Sequence, residues 1–200
     1  MSVPANQSLF DDPASFNRLI AIATGISDDR VRGGMYGITQ DKLRPGELIF
    51  RVGHSTLPMT KNMSSPWWMR DESFYAILGA SEASGTPLGE LYRMKCAVSY
   101  DFGTADIVLQ ARVRQLLRVF AGHGRPVIDE SSGRAGQVWF GALEIAQVFV
   151  PGLRDFKTGL PTPLCHAAIE IEEKFKVSEF RRVWRGRQRW FTKKMLREMA

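Results

Sequence analysis

Residues Thr104 to Ala121 read TADIVLQARVRQLLRVFA, and the architecture turns on how this run is folded. Ile107, Val108, Ala111, Leu116, Leu117 and Phe120 recur at helical spacing, which predicts the longest helix of the chain, closed by Gly122 with Gly124 just beyond. Around it lie short apolar runs of strand character: Glu47 to Val52 (ELIFRV), Arg93 to Val98, Val138 to Phe140 and Ala146 to Val150 (AQVFV), the last ended by Pro151-Gly152. Ala14 to Thr24 predicts a short amphipathic helix stopped by Gly25. Trp67-Trp68 opens a further helical segment that carries Phe74, Ile77 and Leu78. Strands separated by one long helix, with helices at both ends, predict an α+β protein with a compact mixed-sheet core and flanking helices. No GxGxxG follows a strand and no GxxxxGK precedes Ser or Thr, which argues against Rossmann and P-loop nucleotide sites.

A chain of 200 residues, 44% apolar and 24% charged, suits one domain with a proper core. The N-terminal residues have neither a basic n-region nor an apolar h-region, so no Sec-type signal is expected. The expected location is the cytoplasm, or the cytoplasm of a target cell reached without such a signal. Residues 1–173 are expected to form a single α+β domain, with 1–12 disordered. Cys96 and Cys165 lack ligand-spaced neighbours, and His54, His123 and His166 are scattered, so no metal site is predicted. Asp71, Glu72, Asp101, Asp106, Asp129 and Glu130 show no spacing that converges two carboxylates, as a metal-dependent nuclease needs.

The net charge of +6 is concentrated in residues 174–200, where ten basic residues face only Glu179 and Glu198. The rest of the chain is therefore slightly acidic. Phe175, Phe180, Val183, Trp184, Trp190, Phe191, Met195 and Met199 recur every three to five residues, which predicts a basic amphipathic C-terminal helix packed on the domain and kinked at Gly186. One reading is a solvated face anchored by Trp184 and Trp190. The other is a polyanion surface, most naturally for nucleic acid, with Arg181, Arg182, Arg185, Arg187, Arg189, Lys193 and Lys194 on the phosphates.

Three short pieces carry candidate chemistry. Arg51 interrupts the apolar strand ELIFRV; buried, a guanidinium needs an anion or an opening to solvent, and on a rigid strand it suits phosphate recognition. Ser64 and Ser65 precede Trp67 and Trp68, so hydroxyls and stacking faces adjoin. Glu144 and Gln147 flank the start of the AQVFVPG strand, three residues apart, an odd offset that points them to opposite faces in extended chain.

Taken together, Leu48 to Leu153 resembles the ADP-ribosyltransferases of the toxin type. Those proteins carry an arginine on an early strand, a serine-centred element, and a catalytic carboxylate just before an apolar strand ending in Pro. The resemblance sets Arg51 at the arginine, Ser64 or Ser65 at the serine element, and QVFVPG at the final strand. Gln147 stands where the family places Glu, so Glu144, or Asp129 or Glu130 in the preceding loop, is the candidate carboxylate. The resemblance implies NAD as substrate, with Arg51, Ser64, Ser65, Trp67 and Trp68 binding it and Glu144, Gln147 and Arg51 in catalysis. It implies transfer of ADP-ribose to a macromolecule such as RNA or an RNA-associated protein, or hydrolysis with water as acceptor. The competing reading, free of the resemblance, is a non-catalytic nucleic-acid-binding protein that uses the basic helix.

Overall fold

The computed structural model describes residues 2–27, 30–31 and 33–180. In chain order the elements are α1 (Ser8–Asp11), α2 (Pro13–Thr24), β1 (Ile26–Ser27), β2 (Arg30–Val31), β3 (Met35–Leu43), β4 (Leu48–Gly53), α3 (Met59–Met63), β5 (Trp67–Arg70), α4 (Asp71–Ser84) and α5 (Leu88–Cys96). A 3₁₀ turn at Tyr100–Phe102 leads into β6 (Ile107–Val113), β7 (Leu117–Gly124), β8 (Val127–Ile128), β9 (Val138–Trp139), β10 (Ala146–Phe149), α6 (Pro163–Ala168) and β11 (Ile169–Lys176). Seven strands form one antiparallel sheet in the order β11-β6-β4-β5-β10-β7-β3, with helices against it: the chain is α+β.

The long helix predicted over Thr104 to Ala121 is two strands. Five consecutive residues of β6, Ile107 to Ala111, are buried, because β6 lies inside the sheet between β4 and β11 with both faces covered. A strand covered on both faces carries no two-residue alternation, and its apolar run imitates one side of a helix. β6 and β7 do not pair with each other: three residues carry the chain from one half of the sheet to the other. The strand predicted at Arg93 to Val98 is mostly α5, whose buried Leu88, Leu91 and Cys96 keep helical spacing. Trp67 and Trp68 belong to β5, and the helix starts only at Asp71, where Asp71 and Glu72 favour its N-terminal dipole. The strand around Arg51, the strand AQVF and the helix ending at Gly25 lie where their sequence places them.

Two further expectations are corrected. Residues 2–12 are ordered: the buried Asn6 accepts from Arg118 N (2.8 Å) and donates to the carbonyls of Arg118 (2.8 Å) and Pro151 (3.1 Å), and Phe10 joins the core. The boundary drawn at residue 173 falls inside β11, where Lys174 and Lys176 pair with Leu109 and Ile107. Residues 177–180 form a helical turn whose Phe180 is buried edge-on against Phe74 and Phe175. The rest of the predicted basic helix, including Arg181, Arg182, Arg185, Arg187, Arg189, Lys193 and Lys194, lies outside the described residues. Among the described residues no helix is long and apolar enough to cross a membrane.

The feature that positions the site is β5. Trp67 and Trp68 pair with Phe149 and Val148 of β10, whereas Met69 and Arg70 pair with Phe50 and Ile49 of β4. Four residues thus serve two neighbours in turn. Beyond Phe50, β4 keeps only its β6 partner, and Arg51 to Gly53 leave β5. Phe50 anchors this branch point by stacking on Phe74 of α4, 4.5 Å between ring centres. Phe50→Ala is expected to cost about 3–5 kcal/mol, measured by chemical denaturation.

Candidate functional site

A cavity of about 360 Å³ opens where β4 and β5 diverge. Arg51, Val52 and His54 form one wall, Ser65 and Trp67 a second, and Tyr92, Cys96, Ala97 and Val98 a third, with Gln147, Phe102, Ile22, Gly33 and Gly34 completing it. The volume falls in the range of small-molecule sites. A larger groove of about 760 Å³ lies elsewhere, around Arg70 and Arg112, and both of these arginines are paired: Arg70 with Asp41 and Glu47, and Arg112 with Glu172.

Arg51 is the cation of the cavity, and among the described residues it has no ion-pair partner. One guanidinium nitrogen, Nη1, donates to Trp67 O (3.2 Å), the carbonyl that the parting of β4 and β5 sets free. Nε is buried and has no hydrogen-bond partner among the described residues. Burial pushes the guanidinium down to about 10, with a further push from Arg154, so it stays a cation at neutral pH. Arg93, 2% exposed, shows what a satisfied buried arginine looks like here: it donates to Ser99 O (2.8 Å) and Gly103 O and stacks on the Tyr100 ring. No aspartate or glutamate lines the cavity among the described residues.

Gln147 sits on β10 opposite Gly122, with its Nε2 donating to Cys96 O (2.9 Å). A carbonyl only accepts, so this bond fixes the amide orientation and leaves Oε1 as the end available to a ligand. A Cβ on Gly124 would lie 2.7 Å from that Nε2, so this neighbour must be glycine for the side chain to fit. The buried Ser65 lines the cavity beside Trp67, its Oγ accepting from Trp67 N (3.4 Å), and the Trp67 ring meets Phe149 edge-on at 5.0 Å. Two non-glycine residues take left-handed backbone, Ala97 (φ 53°) in the cavity wall and Ala105 (φ 50°) against His54, a conformation that concentrates at functional sites. Burial pushes the Cys96 thiol far up and the Cys165 thiol up to about 11, so neither is a ready thiolate.

Arg51, the pair Ser65 and Trp67, and Gln147 come from three separate stretches of sequence and are brought together. Five other candidates are not. Glu144 precedes β10 in a loop and pairs with Lys95, which holds its carboxyl below the usual range; its side chain is 60% exposed and does not line the cavity. Trp68 packs in the core with Nε1 donating to Ser65 O (2.8 Å), and Ser64 is buried with its hydroxyl on Lys61 O (3.3 Å). Asp129 is buried as an acceptor for Tyr100 N, Ser131 N, Ser131 Oγ and Trp139 Nε1, so it ties the 127–139 hairpin to the 3₁₀ turn. Glu130 is exposed and does not line the cavity. Among the described residues no three His, Cys, Asp or Glu converge as metal ligands.

His54 lines the cavity although its sequence context, a histidine beside a serine, gives no signal beyond adjacency. Burial, then the Arg51 and Arg93 cations, push its imidazole down to about 4 from 6.5 against a smaller opposing pull from Asp106. As pH falls, the unfolded chain therefore takes up this proton first. The group's contribution to stability is whole above about pH 6.5 and is lost towards pH 4, by at most about 1.4 kcal/mol per unit. Between about pH 7 and 4.5, wild type is expected to lose more stability than His54→Gln, followed by thermal denaturation. Arg51→Met, which takes away the donor to Trp67 O and leaves that carbonyl unpaired, is expected to lower stability by about 1–3 kcal/mol, followed by chemical denaturation.

No protein-family model matches the chain, and no functionally characterised protein matches it by sequence. Among solved structures it is similar to Rhs1-CT in complex with its cognate immunity protein RhsI1, at 18% identity over 82% of this chain and 96% of that one, with a TM-score of 0.43. It is also similar to Tne2 in complex with Tni2, at 13% identity over 71% of this chain and 95% of that one, with a TM-score of 0.39.

Proposed function

We propose that the chain binds NAD in the cavity between β4 and β5 and cleaves its nicotinamide–ribose bond, with water as acceptor. The observation that carries this reading is Arg51, a half-buried cation with a buried, unbonded Nε and no ion-pair partner among the described residues, which lines a cavity free of described carboxylates. Such a site favours an anionic ligand, and the NAD pyrophosphate is one. Trp67 supplies a face for the planar pyridine ring, and Ser65 Oγ and Gln147 Oε1 supply hydrogen bonds to ribose hydroxyls.

In the reaction the C1′–N bond breaks and its electron pair stays on the ring nitrogen, giving neutral nicotinamide. C1′ is left as an oxocarbenium ion. Water adds to C1′ and loses a proton to solvent, so the products are nicotinamide, ADP-ribose and one proton. A dissociative cleavage of this kind needs no strong base for so small an acceptor. Water is preferred over a macromolecule because no described carboxylate lines the cavity to activate an acceptor group. The basic residues that favour an RNA acceptor lie outside the described residues.

Nicotinamide release from NAD is expected from wild type. Arg51→Ala and Gln147→Ala are expected to lower it about 100-fold or more, and Glu144→Gln to leave it within about twofold. ADP-ribose found on added RNA or protein would replace water as the acceptor. No release with water, RNA or cell extract would sink the NAD reading and leave the basic C-terminal residues as the functional part.

A further inference from the structure

His54 is held more firmly than a loop residue after a strand requires. Its backbone N–H donates to Asn62 Oδ1 (2.9 Å), and its carbonyl accepts from Asn62 Nδ2 (2.8 Å). Asn62 is itself buried and also donates to Leu57 O (3.2 Å), so one side chain ties the loop from β4 to α3 into a fixed shape. A Cβ on Gly53 would come within 2.6 Å of Asn62 Oδ1, and only a glycine lets that side chain approach. The imidazole is clamped from the other direction. Gly103 (φ 120°) packs directly on it: a Cβ there would lie 2.5 Å from Nδ1. Ala105, in left-handed backbone, donates its N–H to Nδ1 (3.1 Å).

That last bond decides the tautomer. A backbone N–H can only donate, so Nδ1 carries the lone pair and the proton resides on Nε2. No hydrogen bond within the described residues occupies Nε2, and the residue lines the cavity beside Arg51. The two donors differ in kind. Arg51 is a cation and suits a phosphate, whereas a neutral imidazole N–H in a fixed position suits a neutral carbonyl oxygen. The geometry points to His54 as the specificity-determining donor that binds the carboxamide oxygen of nicotinamide through Nε2–H. This assignment rests on the NAD reading above and names the contact by which the cavity selects nicotinamide among planar rings. Ala105 and Gly103 act through His54 as positioning residues.

The test separates binding of the ring from cleavage. Free nicotinamide, and pyridine as the same ring without its carboxamide, are titrated into wild type, His54→Ala and His54→Gln, with binding followed by tryptophan fluorescence. Wild type is expected to bind nicotinamide about 10-fold more tightly than pyridine, the scale of one well-placed hydrogen bond. His54→Ala should erase that difference while leaving pyridine binding within about twofold. His54→Gln, which keeps an N–H donor, should restore part of it. Equal weakening of both ligands by His54→Ala, or an unchanged preference for nicotinamide, overturns the assignment. Arg51-dependent release of nicotinamide from NAD together with either result would sink the role of His54 alone. Absence of both nicotinamide binding and NAD cleavage would overturn the NAD reading and this assignment with it.

Discussion

The structure depends on a hand-over in the middle of its sheet. β5 is four residues long, and its first two pair with β10 while its last two pair with β4. Backbone groups on a strand that changes partners must find other bonds, since a buried unpaired carbonyl costs as much as a lost hydrogen bond. At Trp67 the bond comes from the side chain of Arg51, the first β4 residue past the parting. One interaction therefore closes the sheet at its weakest point, brings a cation into the interior and leaves a cavity beside it. The flanking order follows from the same event. Trp68 and Met69 stay in the core on either side of the hand-over, while Trp67, one residue earlier, reaches the cavity rim.

This places a buried arginine and a half-buried one within one small domain under different rules. Arg93 is surrounded by carbonyls and an aromatic face, and it cements α5 to the 3₁₀ turn and the segment before β6. Arg51 has a single carbonyl and an unmet Nε, so the folded state carries a desolvated charge that nothing in the described residues offsets. The same field acts on His54, which it keeps neutral, so the cavity holds one permanent cation and one neutral donor side by side. An anionic ligand with a carbonyl near it would satisfy both.

Much of the site was legible in the sequence, and little of the topology. Arg51 was visible because a charge within ELIFRV breaks a pattern that burial otherwise explains, and Gln147 because it stands before an apolar strand closed by Pro151-Gly152. Trp67 and Trp68 are adjacent and alike, and only strand geometry, which turns successive side chains to opposite faces, tells the cavity residue from the core residue. β6 was hidden by its own burial, since strands covered on both faces lose the alternation that marks them. His54 was hidden for another reason. What makes it a donor is the N–H of Ala105, fifty-one residues away, and the space left by Gly103. Backbone groups carry no sequence signature, and glycines that permit close approach look like any loop glycine.

A cavity lined by one cation and no described carboxylate is at first sight a poor place to form an oxocarbenium ion. The electrostatics of NAD remove the difficulty. Its pyridine ring is already positive in the ground state, so cleavage moves a charge from ring to ribose over a short distance and creates none. What the transition state needs is a dipole at the ribose, oriented before the reaction begins, and a place where the ring gains by becoming neutral. Gln147 offers the first, because its amide is locked by Cys96 O and cannot turn its carbonyl away. Trp67, Val98 and Phe102 offer the second, an apolar surface that favours the uncharged ring over the charged one. In the proposed reaction the negative charge that a carboxylate would supply would come instead from the pyrophosphate of NAD, held by Arg51. Under the proposed reading a carboxylate in place of the Gln147 amide would compete with the phosphate for Arg51, which lines the same cavity.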